Sequence, residues 1–297
     1  MENSLSPPVS GASLARVVGM DLERRQNNMF WITAALGLAA LTVAPLLLGS
    51  YAVSLLTEVL ILAIFASGLN LLVGYTGLVS LGHAAFLGVG AYVTAIATVL
   101  LGYPVWAGMG AAVLVSLGMA FVIGALCVRT RGVQFLLITL AFGQVLRAVA
   151  ERSRETGGDD GMTRIPRLDL SAFGLSTHSD HVFYFLVLVF FVAAMLLLRV
   201  VVQSPFGRTL VGIRENEKRV KAVGYNPMPY KTVAFAISGM VCGLAGSLWA
   251  QHAYFVNPHI MSWQMSGEAC QRRCKSRPSG GAKVGHLAAH SGNVGRA

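Results

Sequence analysis

The chain has 297 residues, of which 55% are hydrophobic and only 12% are charged. Soluble domains carry about 25% charged residues, so this composition excludes an ordinary soluble protein and predicts an integral membrane protein. The net charge of +10 does not indicate nucleic-acid binding, because the basic residues lie between apolar runs and in a terminal tail rather than among aromatic residues. We therefore expect the lipid bilayer, and no nucleic acid, as a partner.

Apolar runs of membrane-spanning length follow a polar N-terminal segment. Residues 1–28 are polar and predict a cytoplasmic leader. Because about 20 apolar residues cross a bilayer as a helix, the following sequence predicts an all-α polytopic helical bundle with about seven spans in a transmembrane domain, residues 29–253. The predicted spans are residues 29–49, 51–73, 80–101, 104–128, 132–150, 181–202 and 231–253.

The region from Gly68 to Ala95 is apolar but unusually rich in glycine, with a polar break near its middle. It predicts a helix, a turn from Gly74 to Ser80 and a second helix whose small residues let neighbouring backbones approach closely. Polar groups inside spans are candidates for function. We assign helix packing or a translocation path to Glu58, Asn70, Gly74, Gly77, Gly82, His83, Gly88 and Gly90.

Two of these polar residues have a structural alternative that we favour. Glu58 can line a path, but a paired carboxylate in a helix interface is the preferred interpretation. His83 can relay protons, but a hydrogen-bonded packing histidine is preferred. Asn70 is expected to hydrogen-bond across helices, as polar side chains in membrane bundles do.

The charges of three loops predict the orientation of the chain. The loops after the fourth and sixth spans are basic, whereas residues 151–180 contain six acidic residues. The positive-inside rule then puts the N-terminus in the cytoplasm and the acidic loop outside. Within the acidic loop, TGGDDGMTRIP (residues 156–166) predicts either tight turns at a defined position or a solvated connector.

The basic loop after the sixth span predicts an amphipathic cytoplasmic helix. Ser204 can cap its start, Pro205 suits the first helical position, and Gly224 suits the C-terminal stop. Its apolar face would consist of Leu210, Ile213, Val220 and Val223. The polar face can rest on anionic lipid headgroups or dock on a cytoplasmic protein, and the pattern leaves both open.

Three stretches resemble the permease subunits of branched-chain amino acid ABC importers. They are GLNLLVGYTGLVSLGHAAFLGVGAY, TGGDDGM, and SPFGRTLVGIRENEKRVKAVGYN followed by YKTVAFAISGMVCGLAGSLWA, and the resemblance covers roughly residues 55–268. It implies alternating access in a bacterial inner membrane, with four kinds of partner: a second homologous permease, two cytoplasmic ATP-binding subunits, a periplasmic amino-acid-binding protein and lipid. Related permeases for urea and short amides share the motifs, so such a cargo is the alternative.

The resemblance also implies that residues 204–230 form the ATPase-coupling loop. The implied coupling residues are Ser204, Pro205, Gly207, Arg208, Arg214, Glu215, Asn216, Glu217 and Gly224. The sequence contains no GxxxxGK[ST] phosphate loop, so ATP hydrolysis is expected on separate subunits. There is also no HExxH or GxSxG motif, and we expect no enzyme activity, cofactor or metal. A secondary transporter or channel is a further alternative, but it needs no ATPase-docking helix.

The sequence changes character after Glu268. Residues 254–268 resemble the start of the family's C-terminal segment, whereas residues 269–297 contain six Lys or Arg, no acid and no spanning run. This composition predicts disorder. We expect a frameshift that replaced the family's last helices and impairs assembly or transport, with a native regulatory tail as the alternative. Reading the other two frames of the gene past codon 268 tests this expectation.

Overall fold

The computed structural model describes residues 36–45, 47–130, 132–153, 156–168 and 180–262. Within these residues the chain forms an α-helical bundle with one short pair of strands. The predicted leader (residues 1–28) and basic tail (residues 269–297) lie outside the described residues.

Six helices in the described part are long and apolar enough to cross a membrane, and this confirms the predicted all-α polytopic fold. They are α2 (Ser50–Asn70, continued by a π-helical turn, Leu71–Thr76), α3 (His83–Ala95, continued by Ile96–Leu100), α4 (Val105–Cys127), α5 (Val133–Arg152), α6 (Asp180–Gln203) and α8 (Pro227–Ala253). The shorter helix α1 (Leu36–Pro45) is the described part of the span predicted at residues 29–49. Helix α7 (Pro205–Ala222) lies between α6 and α8.

Helix α8 is the centre of the bundle, because it contacts α2, α3 and α4 along its length. Helices α3 and α8 are mostly buried, whereas only 22% of the residues in the apolar stretches of α5 and α6 are buried. Lipid tails are as apolar as leucine, so membrane helices associate through close van der Waals packing rather than through burial from water. The small residues of α3 and α8 supply that packing.

The turn between α2 and α3 lies later than predicted. The helical turns continue to Thr76, the irregular segment comprises residues 77–82, and α3 begins at His83. Gly77 has a φ of +72°, a left-handed conformation that commonly ends a helix. The predicted turn from Gly74 to Ser80, and a third span starting at residue 80, were therefore about three residues too early.

At the opposite end of the bundle, the described part of the loop before α6 (residues 156–168) is packed and is not a solvated connector. Its strand β1 (Met162–Thr163) pairs antiparallel with β2 (Phe255–Val256), which follows α8. Gly161 has a φ of +73°, and a side chain there would overlap the backbone of Val256. The glycine thus permits the strand pairing that ties this loop to the end of α8.

Candidate functional site

Helix α7 starts at a sharp corner directly after α6. The Ser204 hydroxyl accepts a hydrogen bond from the Gly207 amide at 3.4 Å, and Pro205 occupies the first turn. Gly207 lies so close to α6 that a side chain would overlap the Val202 carbonyl. Gly224 follows the helix with a φ of +95°. The predicted cap, first-turn proline and C-terminal glycine are therefore all in place.

Helix α7 is kinked, which the prediction of a single amphipathic helix missed. Asn216 has non-helical angles (φ −156°, ψ 94°), and its side-chain oxygen accepts a hydrogen bond from the Arg219 amide at 3.0 Å. Asn216 thus caps a second short helical segment. Leu210 and Ile213 before the kink are buried and Val220 after it is half-buried, but Val223 is 71% exposed, so the predicted apolar face does not extend to Val223.

Arg214 joins α7 to the turn between α2 and α3. Its guanidinium donates a hydrogen bond to the Gly74 carbonyl. A side chain at Gly77 would lie 3.0 Å from the Arg214 Cγ. Gly74 and Gly77 were predicted to pack helices or line a path, and Arg214 was predicted to couple to an ATPase. The structure brings these three residues together at one end of the bundle.

A buried ion pair joins α7 to the central helix. The Lys231 ammonium, on the second turn of α8, lies 3.0 Å from a Glu217 carboxylate oxygen, and the two side chains are only 8% and 20% exposed. Lys221 approaches the other Glu217 oxygen at 3.3 Å. Removing one member of a buried pair leaves an uncompensated charge, so this contact makes α7 and α8 depend on one another.

The opposite face of α7 is exposed and polar. Arg208, Glu215, Asn216, Lys218 and Arg219 all lie on the solvent-exposed surface. The helix therefore has one side that is attached to the membrane bundle and one side that is open to a further protein.

Two of the predicted packing glycines lie where backbones meet. A side chain at Gly82 would overlap the Thr139 carbonyl of α5, and one at Gly90 would overlap the Gly243 carbonyl of α8. Gly88 differs from the expectation of a helix–helix contact, because the group it faces is the side chain of Met261 in the turn after α8. Such a flexible side chain can yield, whereas a helical backbone cannot.

His83 is fully buried beside these contacts. Its Nδ1 lies 2.8 Å from the Ser80 hydroxyl, and its ring packs edge-on against Phe86 and Phe235, with centroids 5.4 and 4.9 Å away. Its Nε2 is buried without a hydrogen-bond partner among the described residues. This environment is that of a packing side chain held in one orientation.

The other two polar candidates, Asn70 and Glu58, are on α2. Asn70 has a buried side-chain oxygen that finds no partner within the described chain. Helices α2 and α8 are joined instead by the Ser238 hydroxyl, which donates a hydrogen bond to the Gly68 carbonyl at 2.6 Å. Glu58 is half-buried on α2, close enough to His252 of α8 to act electrostatically on it.

A small cavity lies between α3, α4, α5 and α8, beside Gly82, Phe86, Thr139 and Phe235. Its volume is about 10 Å³, which is the space of a single water. It cannot hold an amino acid, so the helices are closed around this point.

The comparison with protein families identifies the chain's relatives. The model described as "Branched-chain amino acid transport system / permease component" matches residues 51–269. The chain belongs to this permease family. Two similar proteins are both called "High-affinity branched-chain amino acid transport system permease protein LivM", from Salmonella typhimurium and Escherichia coli. Each is 30% identical over an alignment of 244 positions that covers 75% of this chain and 57% of the relative.

The permease thus spans about 57% of the length of these curated relatives. No solved structure gives a significant match to it. The family match contains α2 to α8 and every predicted packing and coupling residue, from Glu58 to Gly224. Both relatives are named as transport permeases, in agreement with the family description.

Sequence reasoning missed part of this permease's site on α8. Gly239, Gly243 and Gly246 would each overlap a facing helix if they carried a side chain. Their spacing of four and three residues puts them on one face of the helix, and the GxxxG pattern of Gly239 and Gly243 was the available signal. Lys231 opens the span predicted at residues 231–253 and was not selected as a candidate, although a lysine inside an apolar helix is itself a sign of function.

Proposed function

We propose that this permease is the membrane-spanning subunit of an ATP-driven importer for branched-chain or related amino acids, and that α7 is its ATPase-docking element. The observation that carries the proposal is the double attachment of α7. Arg214 bonds to the turn between α2 and α3, and Glu217 forms its ion pair with Lys231 of α8. A displacement of α7 therefore acts directly on the most buried part of the bundle.

Alternating access would follow from rigid movements of closely packed helices, which have discrete packing arrangements rather than a continuous range. Two cytoplasmic ATP-binding subunits would move α7 of this chain and the matching helix of a second homologous permease. A periplasmic binding protein would deliver the amino acid. In this proposal, the helices that enclose the water-sized cavity beside Gly82 would be those of a closed state.

The exposed face of α7 provides the test of coupling. Exchanging the charges of Arg208 and Glu215 (Arg208→Glu with Glu215→Arg) should abolish both uptake of labelled leucine and co-purification of the ATP-binding subunits, because both residues lie on the exposed face. Arg152→Glu is the matched control, an exposed charge reversal at the opposite end of the bundle. The proposal is wrong if the double variant transports like the native chain, or if no ATP-binding subunit co-purifies with the native chain.

We further infer an inner-membrane location with the N-terminus in the cytoplasm. The basic segments around Arg129 and α7 lie at one end of the bundle, and the acidic loop with Asp160 lies at the other, as the positive-inside rule requires. On a cysteine-free background, Asp160→Cys should react with an impermeant thiol reagent from outside the cell. Lys218→Cys should react only after permeabilisation, and the reverse pattern would contradict the orientation.

The branched-chain cargo is supported by the family description and by the names of the two relatives. Competition for uptake distinguishes it from the alternative cargo. Unlabelled valine and isoleucine should compete with labelled leucine, whereas competition by urea or a short amide alone would favour the amide permeases.

A further inference from the structure

A second cavity lies where the ends of α4 and α7 meet the start of α8. Its volume is about 120 Å³, which on the measure used for the smaller cavity is about ten times the space of a single water. Its lining includes three cationic side chains, one carboxylate and apolar groups: Arg129, Lys221, Lys231, Glu217, Val128 and Met228. It is therefore a polar site whose lining also includes apolar side chains, and it lies at the end of α4 and the start of α8.

The cavity has an excess of positive charge. Lys221 and Lys231 both pair with the one carboxylate, that of Glu217. Arg129 is exposed and has no carboxylate partner among the described residues. These groups together suit a phosphate.

An apolar stripe leads along α4 to the cationic end. Val122 and Leu126 are four residues apart, so they lie on one face of α4, and Arg129 lies in the turn that follows the helix. Val122 and Leu126 are 59% and 54% exposed, at positions that lipid chains cover in a bilayer. A free anion would gain nothing from these apolar side chains. A phospholipid has both a phosphate and acyl chains, so its phosphate can occupy the cavity while its acyl chains cover Val122 and Leu126.

We propose that the cavity binds the phosphate of an anionic phospholipid, whose acyl chains lie along Val122 and Leu126. The bound phosphate would contact Arg129 and Lys221 beside the Glu217–Lys231 ion pair. Lipid composition would thereby act on the contact that joins α7 to α8. This site is independent of the proposed ATPase docking, since it lies on the bundle side of α7 and not on its exposed face.

Titration of the full chain in detergent with short-chain phosphatidylglycerol, followed by native mass spectrometry, tests the proposal. Phosphatidylcholine of the same chain length and inorganic phosphate are the comparison probes. The native chain should bind phosphatidylglycerol saturably, and added salt should weaken the binding. Removing both exposed cations (Arg129→Gln with Lys221→Gln) should weaken it about 30-fold, because each cation near a lipid phosphate contributes about a fivefold factor.

The matched control removes two other exposed cations of α7, Lys218→Gln with Arg219→Gln, which do not line the cavity. It should bind phosphatidylglycerol within about twofold of the native chain. The proposal is overturned if the two double variants behave alike, or if phosphatidylcholine binds as tightly as phosphatidylglycerol. It is also overturned if inorganic phosphate binds as tightly as the lipid, since the ligand would then be a free anion.

Discussion

At Gly90, α3 and α8 lie so close together that the free-energy cost of adding a side chain can be worked out from the backbone distances. A Cβ at Gly90 would lie 2.7 Å from the carbonyl carbon of Gly243 and closer still to its oxygen. The obstacle is helical backbone, which cannot rotate away, so the two helices must separate. Overpacking of this kind costs about 1–3 kcal/mol, and Gly90→Ala should lower the free energy of unfolding by that amount.

Two other glycines provide controls on the same bundle. Gly118 lies on an exposed face of α4, and a Cβ there would meet nothing within 4 Å. Alanine favours a helix over glycine by about 1 kcal/mol, so Gly118→Ala should be neutral or stabilising. Gly88→Ala should fall between the two, because the Met261 side chain it would meet is flexible.

Unfolding in detergent by addition of sodium dodecyl sulfate, followed by far-ultraviolet circular dichroism, measures all three variants. The expected order of stability is Gly118→Ala, then Gly88→Ala, then Gly90→Ala. If Gly90→Ala unfolds at the same point as Gly118→Ala, the close approach of α3 and α8 is not real and the packing argument fails.

Two further contacts make separate predictions. Glu217→Gln should reduce uptake and destabilise the chain by about 3–5 kcal/mol, because it leaves the Lys231 ammonium buried without its carboxylate. Native stability in Glu217→Asp, which keeps the carboxylate, would support the ion pair. An unchanged unfolding curve for Glu217→Gln would refute it. Gly161→Ala should release β1 from β2, since a side chain would overlap Val256. Faster proteolysis of residues 156–168 is the expected result, and unchanged protection would contradict it.

Much of this architecture could be predicted from local patterns. Apolar runs of about 20 residues reveal membrane helices without any tertiary information. The corner before α7 was equally local, because a serine cap, a first-turn proline and a C-terminal glycine act within a few residues of their own positions. Ser204, Pro205 and Gly224 accordingly have the predicted places.

The remaining features depend on contacts between distant segments. Whether Asn216 continues a helix or caps a new one depends on what α7 packs against. The spacing of apolar residues in the sequence therefore does not reveal the kink. Gly88 and Gly90 look alike in the sequence, yet one faces a side chain and the other a backbone. Likewise, an apolar run does not show which helix is central, and the role of α8 emerged only from its neighbours.

Photo-crosslinking from α7 tests the central claim, ATPase docking, most directly. A photoreactive amino acid at position 215, on the exposed face of α7, should crosslink to an ATP-binding subunit in native membranes. The same group at position 200, where Val200 of α6 is 69% exposed along a membrane span, should give no such product. Crosslinks to an ATP-binding protein from position 215 alone are the predicted result; their absence, or equal yields from both positions, would contradict the account.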